Sequence, residues 1–330
     1  MGFLKRWKMK MKPEDRLVGF PYFSFYTKNF KEMFESLGLK VIEPIKINEE
    51  TVKLGVKHSA EMICFPYKIV LGNFIQQLEK GANTLIMFNS CGKCKLRHYY
   101  KLIDLKLHEL GYDFEMISLP PEESIKFPMP YVLERSISFI KKLSELSSKG
   151  KVEVIKVVKK TWKDIREKEK REYAKEFGEI NILITGEIFS ALEPNINQNI
   201  KQQLEKLGAT IHSSLSILGV ITAPIHRTKE KKILRQKALS YLDKVEPGGH
   251  GLHTIEDVLE WSEKGIDGII FVMPLTCHPE ILVEDIIDHL CKKNKVPLLK
   301  VKLDETASPL NIQTRIETFY ELIKRRKERS

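Results

Sequence analysis

The chain has 330 residues, 42% of them hydrophobic and 30% charged, with a formal net charge of +11. That length is enough for two cores of ordinary size, and the composition is that of a globular chain rather than a disordered or fibrous one. No apolar run approaches the ~20 residues needed to span a membrane, and the basic start, Met1-Gly2-Phe3-Leu4-Lys5-Arg6, lacks the apolar stretch of a secretory signal, so a cytoplasmic protein is expected.

After a basic segment, 1–16, strands are expected at 17–21 and 39–42, with a helix over 27–37 that stops at Gly38. A helix over 67–80 stops at Gly81 and leads into the apolar run 84–88. A second helix, 99–110, stops at Gly111 before a strand at 114–118. This alternation predicts an α/β domain with a parallel sheet over 17–121. Residues 122–178 break the pattern with Pro128 and Pro130, then read as helices over 131–148 and 161–177, a helical connector. A second such domain, 179–330, is expected to hold strands at 180–185, 210–212, 268–272 and 297–301. Its helices read as 197–207, 228–242, 254–264, 280–292 and a long charged one at 314–328. The expected fold is thus two Rossmann-like, flavodoxin-like parallel-sheet domains. The halves echo each other: Glu79-Lys80-Gly81 precedes one strand and Glu263-Lys264-Gly265 the other.

Five cysteines, at 64, 91, 94, 277 and 291, are too few for a disulfide scaffold at this length. In a reducing cytosol clustered thiols more often serve metal or redox chemistry. Cys91 and Cys94 follow the run at 84–88, and Cys277 follows that at 268–272. Ligands of open α/β sheets gather at the carboxyl ends of such strands, so thiols there suggest a soft-metal or iron–sulfur site. The Cys91-x-x-Cys94 spacing alone also fits a redox dithiol or half a zinc site. Cys291, inside an amphipathic helix, reads as a buried apolar residue.

His278, beside Cys277, and Glu187, at a strand end, are the candidate catalytic side chains. His250, His253 and His278 could be metal ligands, but lone histidines are more often polar surface or cleft residues, as His250 and His253 read; Gly248-Gly249-His250-Gly251 reads as a loop, since it follows Pro247 rather than an apolar strand. No G-x-x-x-x-G-K-[ST] phosphate loop occurs in the chain. The basic excess is local, at 5–12, 149–175 and 227–237. It reads as solvated helix faces, with docking of an acidic partner as the functional alternative. Nucleic acid is not an expected partner, because it would predict a concentrated basic face with interleaved aromatics, whereas this excess is local.

Several stretches, taken in order, carry a resemblance that covers about 17–325. They are Gly19-Phe20-Pro21 with Phe34 and Leu37-Gly38, Cys64-Phe65-Pro66-Tyr67-Lys68, and Gly92-Lys93-Cys94-Lys95-Leu96-Arg97-His98-Tyr99. Gly186-Glu187-Ile188 with Pro194 and Asn197, Pro274-Leu275-Thr276-Cys277-His278-Pro279, Asp304-Glu305 and Thr314-Arg315 complete the set. Together they resemble the 2-hydroxyacyl-CoA dehydratase superfamily, in its short branch of CoA-substrate-specific enzyme activase-like and double-cubane cluster proteins. The resemblance implies an iron–sulfur cluster, 4Fe–4S or double-cubane 8Fe–9S, held in the interdomain cleft by Cys64, Cys94 and Cys277. Cys91 is an addition to the pattern, as a further ligand or a redox thiol. Lys93 and Arg97 stand where the family has Pro and Gly, and His278 and Glu280 alter the last loop.

The resemblance also implies partners: a separate ATP-hydrolysing activator that passes low-potential electrons to the chain, and a second copy or a related dehydratase subunit. The expected function is to reduce or dehydrate a small substrate such as a CoA thioester. Two other readings of the cysteines stand beside it, a zinc or scaffold protein and an electron-transfer adaptor without its own substrate.

Overall fold

A computed structural model describes residues 11–89, 94–120, 131–173, 176–219 and 228–329. It contains two four-stranded sheets in which every pairing is parallel. The first runs β1 (Leu17–Gly19), α1 (Tyr26–Ser36), β2 (Lys40–Val41), α2 (Glu49–Lys57), α3 (Phe65–Glu79), β3 (Thr84–Phe88), α4 (Tyr99–Glu109) and β4 (Glu115–Leu119). Helices α5 (Tyr131–Ser147) and α6 (Lys151–Tyr173) follow. The second sheet begins with β5 (Ile180–Gly186), the short helices α7 (Ile188–Leu192), α8 (Pro194–Asn197) and α9 (Ile200–Leu207), and β6 (Ala209–His212). It ends with α10 (Lys229–Ser240), α11 (Gly251–Glu263), β7 (Gly268–Pro274), α12 (His278–Lys293), β8 (Leu298–Leu303) and α13 (Pro309–Glu328).

The strand orders are β2-β1-β3-β4 and β6-β5-β7-β8. One topology is therefore used twice, and the expected pair of Rossmann-like domains is present. In each sheet the chain reverses direction of growth between the first and third strands, which opens a crevice at their carboxyl ends. Strands β5 and β7 are buried at every position, as sheets covered on both faces require.

Helices α5 and α6 pack on the first sheet through Leu143, Leu146, Val154, Val158 and Ile165. Helix α3 is buried nearly all round, the mark of a helix inside a structure rather than on its surface. Tyr67, Val70, Leu71, Phe74 and Ile75 join one face of the first sheet, while Phe65 and Ile69 join the core of the second. The two domains thus share this helix. Polar bonds also cross between them: Ser24 N donates to Glu193 Oε2 at 2.6 Å, and Lys68 Nζ donates to Glu305.

Several elements differ from expectation. Helix α2 was not expected at all. Helix α6 starts ten residues before the expected 161 and takes in Val154 and Val158. The expected helix at 197–207 is split, because Gln198 and Asn199 adopt left-handed angles (φ 60° and 58°) after α8.

Candidate functional site

Cys64, Cys94 and Cys277 share one local role. Each is the residue that caps the start of a helical segment, with extended backbone angles. Cys64 precedes α3, Cys94 precedes the single turn Lys95–His98, and Cys277 precedes α12. Pro66 and Pro279 fix the first turns of α3 and α12 without losing an intrahelical bond, since amide groups there have no helical partner. Helix starts favour anions, so thiolates at Cys64 and Cys277 face an electropositive end of a long helix.

The three thiols come from both domains into one region. Cys94 feels the charge of Cys64, and Cys277 that of Cys94. Glu187 acts on all three. Cys64 Sγ is hydrogen-bonded to Tyr99 Oη, and the rings of Tyr67 and Tyr99 meet edge to face at 5.1 Å. Burial raises every thiol: Cys64, with the Tyr99 bond opposing the rise, Cys94 to about 11, and Cys277 further. Cys91 lies outside the described residues.

The carboxylates around the thiols are buried too. Glu187 caps α7, its Oε1 accepting from Phe189 N at 2.9 Å and its Oε2 from Ser190 N at 2.8 Å. Burial raises its pKa against those two bonds. Gly186 places it: at φ 122°, a Cβ there would meet Val272 O at 2.1 Å. Glu280, in the first turn of α12, is fully buried. Its Oε2 accepts from Thr254 Oγ1 at 2.9 Å, while Oε1 has no partner among the described residues. Burial, then the charge of Glu187, pushes its carboxyl up to about 8. His278 is exposed on the outer side of the same turn. Cys291 is buried in the core of the second domain among Val283, Ile287 and Leu290.

The loop Pro247–His250 borders the cysteines. A Cβ placed on Gly249 would lie 3.7 Å from Cys94 Cβ and 2.8 Å from Pro279 Cγ. His250 caps α11, and its Nδ1 is buried without a partner among the described residues, although the residue as a whole is partly exposed. Burial, with the neighbouring His253, lowers its pKa to about 3 and keeps the ring neutral. Tyr99 and Glu280 are site residues to which sequence reasoning assigned no role, and His250 was only one of three histidines that could bind a metal. The two adjacent glycines before His250 were a signal of close backbone approach.

The donor set suits an iron–sulfur group. It offers three thiols beside two buried carboxyls, and a cationic inorganic core would offset that excess of negative charge. Among the described residues, no group of three or more His, Cys, Asp or Glu side chains is arranged to hold a metal ion. Among them, too, no helix is long and apolar enough to cross a membrane.

Comparison with known proteins places the chain. Residues 18–89, from β1 to β3, match the CoA enzyme activase uncharacterised domain. No curated protein matches the chain. Residues 136–323 match the 2-hydroxyglutaryl-CoA dehydratase D-component. That second match spans more than half of the 330 residues and takes in the whole second sheet with Glu187 and Cys277, so the chain belongs to the 2-hydroxyglutaryl-CoA dehydratase D-component family.

Proposed function

We propose that this chain is a cytoplasmic iron–sulfur protein of the 2-hydroxyacyl-CoA dehydratase type, with Cys64, Cys94 and Cys277 as its ligands. The convergence of three helix-capping thiols from both domains carries this reading. When bound, such a group supplies low-potential electrons and an iron able to polarise a hydroxyl or carbonyl of a small substrate such as a CoA thioester. The chain's own part is to hold it dry, to bond Cys64 through Tyr99, and to keep Glu280 as a buried carboxyl beside it. His278, exposed next to Cys277, is placed to meet a substrate arriving from solvent.

Electrons come from a separate ATP-hydrolysing activator. Helix α10 is a poor dock for it, because Lys231, Arg235 and Lys237 are already paired with Glu260, Glu246 and Glu263. Helix α6 fits better. Lys156, Lys159, Lys160 and Lys163 are exposed on it without a partner among the described residues.

Anaerobic purification tests the central claim. The protein should carry iron and sulfide and a broad visible charge-transfer band. Cys64→Ala, Cys94→Ala and Cys277→Ala should each lose it, and Cys291→Ala should not. Equal iron content in all four variants, or a colourless protein holding zinc, would sink the assignment. Cys91→Ala decides the standing of that thiol: loss of iron makes it a ligand, retention a bystander.

A further inference from the structure

One short segment of the first domain serves two of the three thiols. Cys94 caps the turn Lys95–His98, and the residue after that turn is Tyr99, the first of α4. The Tyr99 hydroxyl is bonded to Cys64 Sγ. A thiolate sulfur carries no proton, so in the loaded protein the hydroxyl is the donor of that bond. At Cys277 the surroundings act the other way: burial, then the charges of Glu280 and Glu187, oppose its thiolate.

We infer that Tyr99 is a positioning residue that acts through Cys64 to stabilise the reduced form of the bound group, and so raises its reduction potential. The inference rests on the proposed iron–sulfur reading and adds what tunes that group.

Packing fixes the donor. Tyr99 is 2% exposed, so water does not take its place at the sulfur. Its ring meets that of Tyr67 edge to face, and it shares a core with Cys64, Ile103 and Leu107. Cys64 in turn stands at the start of α3, which is buried nearly all round. Apolar contacts thus hold both partners in place, and the bond exists before any group is loaded.

Charge gives the direction of the effect. Reduction adds one electron, supplied by the proposed protein donor. No covalent bond forms or breaks, and the phenol keeps its proton. The added negative charge spreads onto the ligating sulfurs. A hydrogen bond to an anionic acceptor is stronger than one to a neutral acceptor, so the Tyr99 bond gains strength on reduction. Hydrogen bonds to the sulfurs are among the features that set the potential of such groups. Glu187 works in the opposite sense on all three thiols, and Glu280 on Cys94 and Cys277. Lys95 joins Tyr99 in favouring the Cys64 thiolate. Relief from the buried negative charge is therefore gathered at the Cys64 end.

The test uses holoprotein assembled anaerobically, with iron and sulfide measured first. Absence of both would overturn the iron–sulfur reading and this inference together. With iron present, a redox titration followed by the visible band compares the parent chain with Tyr99→Phe and Tyr67→Phe. Tyr99→Phe should lower the midpoint potential. At the parent's midpoint its ratio of reduced to oxidised group should fall about fivefold, the worth of one hydrogen bond of ~1 kcal/mol. Tyr67→Phe removes a hydroxyl from the adjoining ring and should leave the midpoint where it is. A ring-fluorinated tyrosine at position 99, a stronger donor of the same shape, should raise it. An unchanged or higher midpoint in Tyr99→Phe, or an equal fall in Tyr67→Phe, would overturn the role of the bond while leaving the cluster standing. If Tyr99→Phe does not retain iron, the fluorinated chain decides: a midpoint that does not rise overturns the inference.

Discussion

Tyr99 shows how a single hydroxyl can govern a thiol. Its bond to Cys64 lowers the thiol pKa against the larger effect of burial. In the metal-free protein, Tyr99→Phe should therefore slow alkylation of Cys64 at fixed pH by about fivefold, the equivalent of ~1 kcal/mol. Peptide mapping after iodoacetamide measures it, and faster alkylation would mean that the ring shields the thiol more than the hydroxyl activates it. His250 gives a pH signature of its own. Its folded pKa lies near 3, below the unfolded 6.5. Between those values the unfolded chain holds a proton that the folded chain cannot. Stability is thus present above 6.5 and falls as the pH drops toward 3, by at most about 1.4 kcal/mol per pH unit. Urea midpoints of metal-free protein at pH 7 and pH 5 should differ less in His250→Gln than in the parent chain. The cysteines were legible in the sequence because each sits beside an apolar run or a proline that marks a strand or helix end. The position of His250 was not. Its neighbours are loop residues, and only the fold sets that loop against Cys94 and Pro279.

Helix α2 is the element the sequence hid. It buries Thr51 and Gly55 rather than an apolar stripe, so no 3.6-residue hydrophobic period announces it. Its start is an Asn48–Thr51 capping box, in which Thr51 N donates to Asn48 Oδ1 at 2.9 Å and Asn48 N donates to Thr51 Oγ1 at 3.2 Å. The small residues serve a close crossing with α3. A Cβ on Gly55 would lie 1.8 Å from Lys68 O, and one on Gly72 1.9 Å from Thr51 O. Both clashes are with backbone, which cannot swing aside. Gly72→Ala should thus destabilise by ~1–3 kcal/mol as an overpacked contact. Gly111→Ala, with open space but a φ of 90°, should cost only the left-handed penalty of ~1–2 kcal/mol. The Gly72 change should also reduce iron retention, because α3 carries Cys64 at its start, whereas the Gly111 change should leave iron content alone. Equal iron loss in the two variants would separate cofactor binding from the α2–α3 crossing. The strands and the longer helices were readable because each has a period of its own; close crossings of small residues have none.

At the scale of the molecule, apolar runs alternating with amphipathic helices were enough to indicate two parallel sheets. What locks the domains together was not readable, since it joins residues far apart in the chain. Lys68 and Glu305 both lie in stretches that resemble the dehydratase superfamily, yet they are 237 positions apart. The structure pairs them across the domains, with Lys68 four residues after Cys64. The pair is lopsided: the Lys68 side chain is 3% exposed and that of Glu305 25%. Removing one member of a buried pair costs about 3–5 kcal/mol when the charge left behind cannot reach water. Glu305→Ala strands the Lys68 ammonium and should approach that range. Lys68→Met fills the same space with an apolar chain and leaves a carboxylate that solvent can reach, so its cost should be ~1 kcal/mol or less. Equilibrium urea unfolding of the two variants decides the matter. If they lose the same stability, or Lys68→Met loses more, the pair behaves as an ordinary surface bridge and the apolar contacts of Phe65 and Ile69 alone join the domains at α3. If the order holds, the double variant Lys68→Met/Glu305→Ala should be more stable than Glu305→Ala, because the stranded charge is gone.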